Sequence, residues 1–152
     1  MGTWAAGNFE NDTAMDWVGD LIEGGVGSII HDALSQVMEQ SAAQQPSFVG
    51  RLLGRKPVEA YLEAPTACEA LAAAEIVACW LGHPLSKLPD GIEDWIRKNS
   101  GDFSQELVGL ARQAVTVIKT KSELKELWEE GGAASLAEWE TAILDLERRL
   151  QK

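Results

Sequence analysis

A chain of 152 residues, 45% of them hydrophobic, is the length of one domain and can bury a core without disulfides or metals. Its net charge of −11 is lopsided: the first fifty residues hold seven acids (Glu10, Asp12, Asp16, Asp20, Glu23, Asp32, Glu39) and no Lys or Arg. That distribution argues against contact with a phosphate backbone and favours a basic protein partner or none.

The start is acidic and polar, which is no secretory signal, and Ala6 stands where myristoylation of Gly2 would need Ser or Thr. The longest apolar run, Ala70 to Leu81, is interrupted by Glu75 and is shorter than the ~20 residues of a membrane span. The expectation is a cytoplasmic protein with no membrane association.

Gly2, Thr3, Trp4 and Phe9 precede the first periodic segment and read as an extended or looping entry. Ala14, Trp17, Val18, Leu21 and Ile22 then recur at helical spacing, with Asn11 or Asp12 placed to cap and Gly24-Gly25 to stop. A second helix is predicted from about Ser28 to Ala43, burying Ile29, Ile30, Ala33, Leu34, Val37 and Met38. Gln44 to Pro57, with two prolines and two glycines, is the least regular stretch.

The third helix runs from Pro65 to Leu81, stopped by Gly82 and Pro84; being apolar nearly all round, it should be the central one. Pro89 to Asn99 predicts a short helix with Ile92, Trp95 and Ile96 inward. Asp102-Phe103-Ser104-Gln105 resembles a capping box for a fifth, carrying Leu107, Leu110, Ala111, Ala114, Val117 and Ile118 on one face. Ser122 to Glu130 makes a sixth ending at Gly131-Gly132. Ser135-Leu136-Ala137-Glu138 reads as a capping box for the last, whose inward residues are Leu136, Trp139, Ile143, Leu146 and Leu150. No stretch alternates with period two for long enough to make a strand. The reading is an all-α, single-domain bundle of six or seven helices over 1–152, with an extended N-terminal segment.

The opening M-G-x-W-x-x-G-x-F-x-N-D-x-A-x-D-W, from Met1 to Trp17, resembles the start of a bacterial family of small proteins known only as a domain of unknown function, numbered forty-two fifty-nine. The likeness continues more loosely through Tyr61-Leu62-Glu63-Ala64-Pro65 and Leu71 to Ala78. It implies a family and no reaction. Mechanically, Gly2 and Gly7 would permit unusual turns, Trp4 and Phe9 would drop into the core and pin the entering chain against the first helix that carries Trp17, and Asn11-Asp12 would cap that helix.

Four features are candidates for chemistry. At about 100° per residue, Asp12, Asp16, Asp20 and Glu23 fall on one face of the first helix, opposite Trp17 and Leu21. Like charges at i, i+4 repel, so a cationic partner or a divalent metal would relieve the stripe, while solvent screening is the plain alternative. Glu75 lies on a helix with almost no polar face; it is either a buried general acid or metal ligand, or a structural hydrogen-bonding group that meets Trp4 Nε1 or the N-terminal turn, or it stands at a bundle edge left wet. The structural role is favoured, with Glu75→Gln costing only modest stability.

Cys68 and Cys79 are too far apart on one helix to bridge and read as reduced core thiols. Cys79, His83 and His31 do not match a zinc spacing. Gly50 to Pro57 fails the phosphate-loop pattern and reads as a loop whose apolar strip (Phe48, Val49, Leu52, Leu53) packs or binds. The seam of the last helix is read as packing within the chain, hence a monomer over a dimer.

No motif implies a cofactor, a metal or a catalytic set. The expected function is therefore a small acidic binding protein, without enzymatic activity, that neutralises a basic protein partner as immunity proteins neutralise toxins. The alternative is a small-ligand or metal-dependent enzyme built around Glu75 and the acidic face of the first helix.

Overall fold

The computed structural model describes residues 5–42, 52–54 and 60–151. Among these, all regular structure is helical apart from an isolated bridge position at Asn11. Seven main helices follow in order: α1 (Asp12–Gly24), α2 (Ser28–Ser41), α3 (Ala64–Trp80), α4 (Ile92–Lys98), α5 (Gln105–Thr120), α6 (Glu123–Glu130) and α7 (Ala133–Leu150). A 3-10 turn at Ser100–Asp102 separates α4 from α5. Trp4, Ala43, Phe48, Val49 and most of Gly50 to Pro57 lie outside the described residues, and Leu52 and Leu53 are exposed.

The architecture is organised around α3. Its alanines are the best helix formers, and Pro65 sits in the first turn, where a missing N–H costs nothing. Every residue from Ala70 to Ala78 is buried, and α3 touches each of the other six helices. A helix surrounded in this way needs small side chains so that its neighbours can approach. The bulk of the core comes from the helices around it, including Leu21, Ile30, Leu34, Ile118, Ile143 and Leu146.

The end of α3 follows from Leu81-Gly82-His83-Pro84. Gly82 adopts a φ of 92, open to glycine at little cost, and lets the Gly82 N–H reach the Cys79 carbonyl (2.9 Å) and the His83 N–H reach that of Ala78 (2.9 Å). These two bonds close the helix in a Schellman motif and leave the His83 carbonyl pointing back along the bundle. At the other end, the Ala64 N–H donates to the Glu123 carboxylate (2.7 Å) while the Glu123 N–H donates to the Leu62 carbonyl (2.9 Å). The N-termini of α3 and α6 thus satisfy each other's free donors.

Two caps differ from the sequence expectation. α5 is capped by Ser104, whose Oγ accepts from the Leu107 N–H at 3.2 Å, while Asp102 belongs to the preceding 3-10 turn and packs over Gly27. α7 begins at Ala133, before the Ser135 box, because Gly132 at φ 102 turns the chain in one residue and its carbonyl already accepts from the Leu136 N–H at 3.1 Å. Ile29 and Met38 on α2, Leu110 and Val117 on α5, and Leu136 on α7 are half-buried at the edge of the core rather than inside it.

α7 runs antiparallel to α5. Arg112 clamps the Leu150 carbonyl with Nε and Nη2 (2.9 and 2.7 Å), and Lys119 pairs with Glu147 (2.9 Å). The α1–α2 turn is fixed to α4 by the Trp95 indole N–H, which donates to the Gly25 carbonyl at 3.1 Å.

Gly25 itself has an ordinary backbone conformation but no room: a Cβ there would stand 2.8 Å from the Leu21 Cα and carbonyl oxygen. Gly19, on the same helix, has nothing within 4 Å. Gly25→Ala should therefore lower unfolding free energy by about 1–3 kcal/mol through overpacking. Gly19→Ala should raise it by about 0.5–1 kcal/mol. Urea unfolding of the two variants checks both signs.

Candidate functional site

The charge that the sequence places inside the central helix is the main feature of the interior. Glu75 is 1% exposed. Arg149, on the last turn of α7, grips it in a fork: Nη1 donates to Oε1 at 2.6 Å and Nη2 to Oε2 at 2.9 Å. The Asn8 amide, from the N-terminal turn, donates to Oε2 at 2.7 Å.

Arg149 is held in turn. Its Nε donates to Asp145 one turn earlier on α7 (2.8 Å), and Nη1 also reaches the His83 carbonyl (3.3 Å) that the Schellman turn presents. Four of the five guanidinium N–H groups are used. Burial works against the charged guanidinium. The hydrogen bonds and charge of Glu75, then of Asp145, outweigh it and hold Arg149 above its ordinary pKa.

This arrangement can bind and orient, but it has little left for chemistry. Both Glu75 oxygens are taken, and no buried side-chain polar atom among the described residues lacks a hydrogen-bond partner. Among the described residues no three His, Cys, Asp or Glu side chains gather in a way that could hold a metal ion. Burial, then the nearby Glu69, pushes the Cys68 thiol up to about 11. Cys79 is raised by burial, then by Glu93 and Glu75. Neither thiol is set up as a nucleophile at neutral pH.

A groove of about 400 Å³ lies between the Tyr61-Leu62 segment and the end of α5. Its Thr116, Thr120 and Ser122 hydroxyls donate to carbonyls of α5, those of Arg112, Thr116 and Ile118.

The remaining expected residues fall in two places. Asn11 caps α1, its Oδ1 accepting from the Ala14 N–H at 2.8 Å, so Asp12 is the first residue of the helix. Phe9 is buried in the core, whereas Trp17 is half-buried at the flank of α1 rather than deep beside Leu21. Gly7 does not adopt a positive φ. What a Cβ would meet there is the movable end of the exposed Glu10 side chain, so neither backbone conformation nor packing demands glycine at this position. Asp12, Asp16, Asp20 and Glu23 are all exposed along one face of α1.

The N-terminal turn was an expected partner of Glu75, and Asn8 is the residue of that turn that fills the role; Asp145 and Arg149 were missed. The available signal was indirect: a carboxylate on an all-buried helix needs a cation, and Arg149 borders the buried seam of Leu146 and Leu150.

The family described as domain of unknown function DUF4259 matches the chain over residues 2–48 and 30–142. The protein belongs to that family. No curated protein and no solved structure matches it. No helix among the described residues of this DUF4259 chain is long and apolar enough to cross a membrane.

Arg149→Ala leaves the buried Glu75 charge stranded and should cost about 3–5 kcal/mol, and Glu75→Ala, after which Arg149 keeps Asp145, should cost less. Glu75→Gln should not be mild, contrary to the expectation from sequence, because it removes the buried counter-charge of Arg149 and leaves only the more exposed Asp145. The double change Glu75→Met/Arg149→Met, which removes both charges and keeps the volume, should recover most of the loss. Chemical denaturation of the single and double variants measures the difference.

Proposed function

We propose that this protein is a monomeric, non-enzymatic binding domain that acts in the cytoplasm and captures a basic protein partner on the acidic face of α1, in the manner of an immunity protein neutralising a toxin. One observation carries the reading. Asp16, Asp20 and Glu23 stand exposed on one face of α1 and form no ion pair among the described residues.

That face costs the helix something. Asp12, Asp16 and Asp20 are spaced at i, i+4, each pair unfavourable by a few tenths of a kcal/mol. Glu23 lies in the last turn, against the negative end of the helix, where α1 has no basic residue. Asp12 alone sits where the dipole welcomes a carboxylate. A surface that weakens its own helix is more economically explained by a partner than by folding. Further support comes from the interior, where the polar capacity of Glu75 is consumed by Arg149 and Asn8.

The triple variant Asp16→Asn/Asp20→Asn/Glu23→Gln tests the proposal. It should melt at the same temperature as the wild type or higher, by about 0.3–1 kcal/mol for relief at the helix end. In affinity capture from the host-cell lysate it should lose a basic protein that the wild type retains, and raised salt should weaken the wild-type capture. Retention of the same protein by the triple variant, or the absence of any basic protein on the wild type, would sink the proposal.

A further inference from the structure

The segment before α1, Ala5 to Glu10, folds on itself. The Glu10 N–H donates to the Gly7 carbonyl (3.0 Å), and the Ala5 N–H reaches the Glu10 carbonyl (3.4 Å). These backbone bonds stay within the segment and do nothing to fasten it to the bundle. Ala5 and Glu10 are exposed and Ala6 and Gly7 half-buried; only the consecutive residues Asn8 and Phe9 are buried. Asn8 is fastened by its hydrogen bond to Glu75, a donor–carboxylate bond of the strong, charge-assisted kind.

Beside the segment lies a small, partly open pocket of about 20 Å³, lined by Ala5 to Asn8 and Asn11 together with Cys68, Leu71, Leu124, Trp128 and Trp139. It is the size of one water molecule. The Cys68 sulfur is covered from this side, the residue being 3% exposed.

We propose that residues 5–10 form a strap latched by the Asn8–Glu75 hydrogen bond, which opens as a local unit without unfolding of the bundle and uncovers the floor that holds Cys68. The physical basis is the contrast in fastening. The helices are tied through the whole core, whereas among the described residues the strap is tied by the buried Asn8 and Phe9 and one hydrogen bond to Glu75, and segments with few cross-contacts open below the global unfolding free energy.

Arg149 acts as a positioning residue in this device. By fixing both Glu75 oxygens in its fork, it sets where Oε2 stands to receive the Asn8 amide. The latch therefore links the N-terminal strap to the last turn of the final helix. Cys68 is 3% exposed and its thiol is raised by burial while the strap is closed, so opening gives it solvent and reagent access and a larger thiolate fraction.

Cys68 alkylation by N-ethylmaleimide reads the opening directly, in the full chain carrying Cys79→Ala so that one thiol reports. Asn8→Ala should accelerate labelling about tenfold or more, the effect of losing a hydrogen bond to a charged group. The rate should hardly respond to low concentrations of urea, as befits a local opening that exposes little surface. Amide exchange should speed up in residues 5–10 and stay unchanged in α3 and α5.

The double variant Glu75→Met/Arg149→Met supplies the second arm. It keeps the bundle but removes the acceptor, so its labelling should match that of Asn8→Ala. Labelling unchanged in both variants would overturn the proposal. So would labelling accelerated only in step with global unfolding, with a steep dependence on urea and loss of protection in α5.

Discussion

One constraint runs through this structure: a helix buried on every side carries a carboxylate at its middle. Once Ala70 to Ala78 are all enclosed, Glu75 cannot reach water, and an isolated charge there would cost far more than the domain's net stability. The charge must be answered from within. Arg149 answers it in the planar, two-pronged geometry that guanidinium shares with carboxylate, which a lysine at the same place would not reproduce.

The consequences spread along the chain. Because Arg149 must stand at Glu75, the end of α7 is fixed in register against α3, and Arg112 and Lys119 of α5 close on it from the other side. Because the His83 carbonyl also receives Arg149, the Schellman turn after α3 becomes part of the same cluster. Asn8 brings the N-terminal turn to the remaining site on Oε2. A buried ion pair of this kind adds little net stability over an apolar core of the same shape. Its contribution is geometric, since four separate parts of the chain meet only in one arrangement.

Charge is handled in opposite ways inside and outside. The buried carboxylate is met by three donors, whereas Asp16, Asp20 and Glu23 on α1 meet solvent. Water and salt make the second arrangement tolerable, and the same exposure leaves those carboxylates available to a partner. A domain whose interior polarity is spent on assembly has its surface left for recognition, which is why the binding reading rests on α1 rather than on Glu75.

Periodicity alone was sufficient to place the helices, because each outer helix buries one face and the spacing of Ala14, Val18 and Leu21, or of Trp139, Ile143, Leu146 and Leu150, records that face directly. The centrality of α3 was legible for the complementary reason that it has no polar face. Cap positions were legible where a side chain acts on its own helix, as Asn11 does, and were misplaced where a glycine or a 3-10 turn decides the entry, as at Gly132 and Asp102. The sequence also determined that Glu75 would be a problem. It could not determine the solution: Asn8 and Arg149 lie 67 and 74 residues away, and nothing in local spacing encodes which distant cation will arrive. Only the tertiary structure decided that, because the partner of a buried charge is chosen by how whole helices pack, and the packing is set by the shape of the entire core.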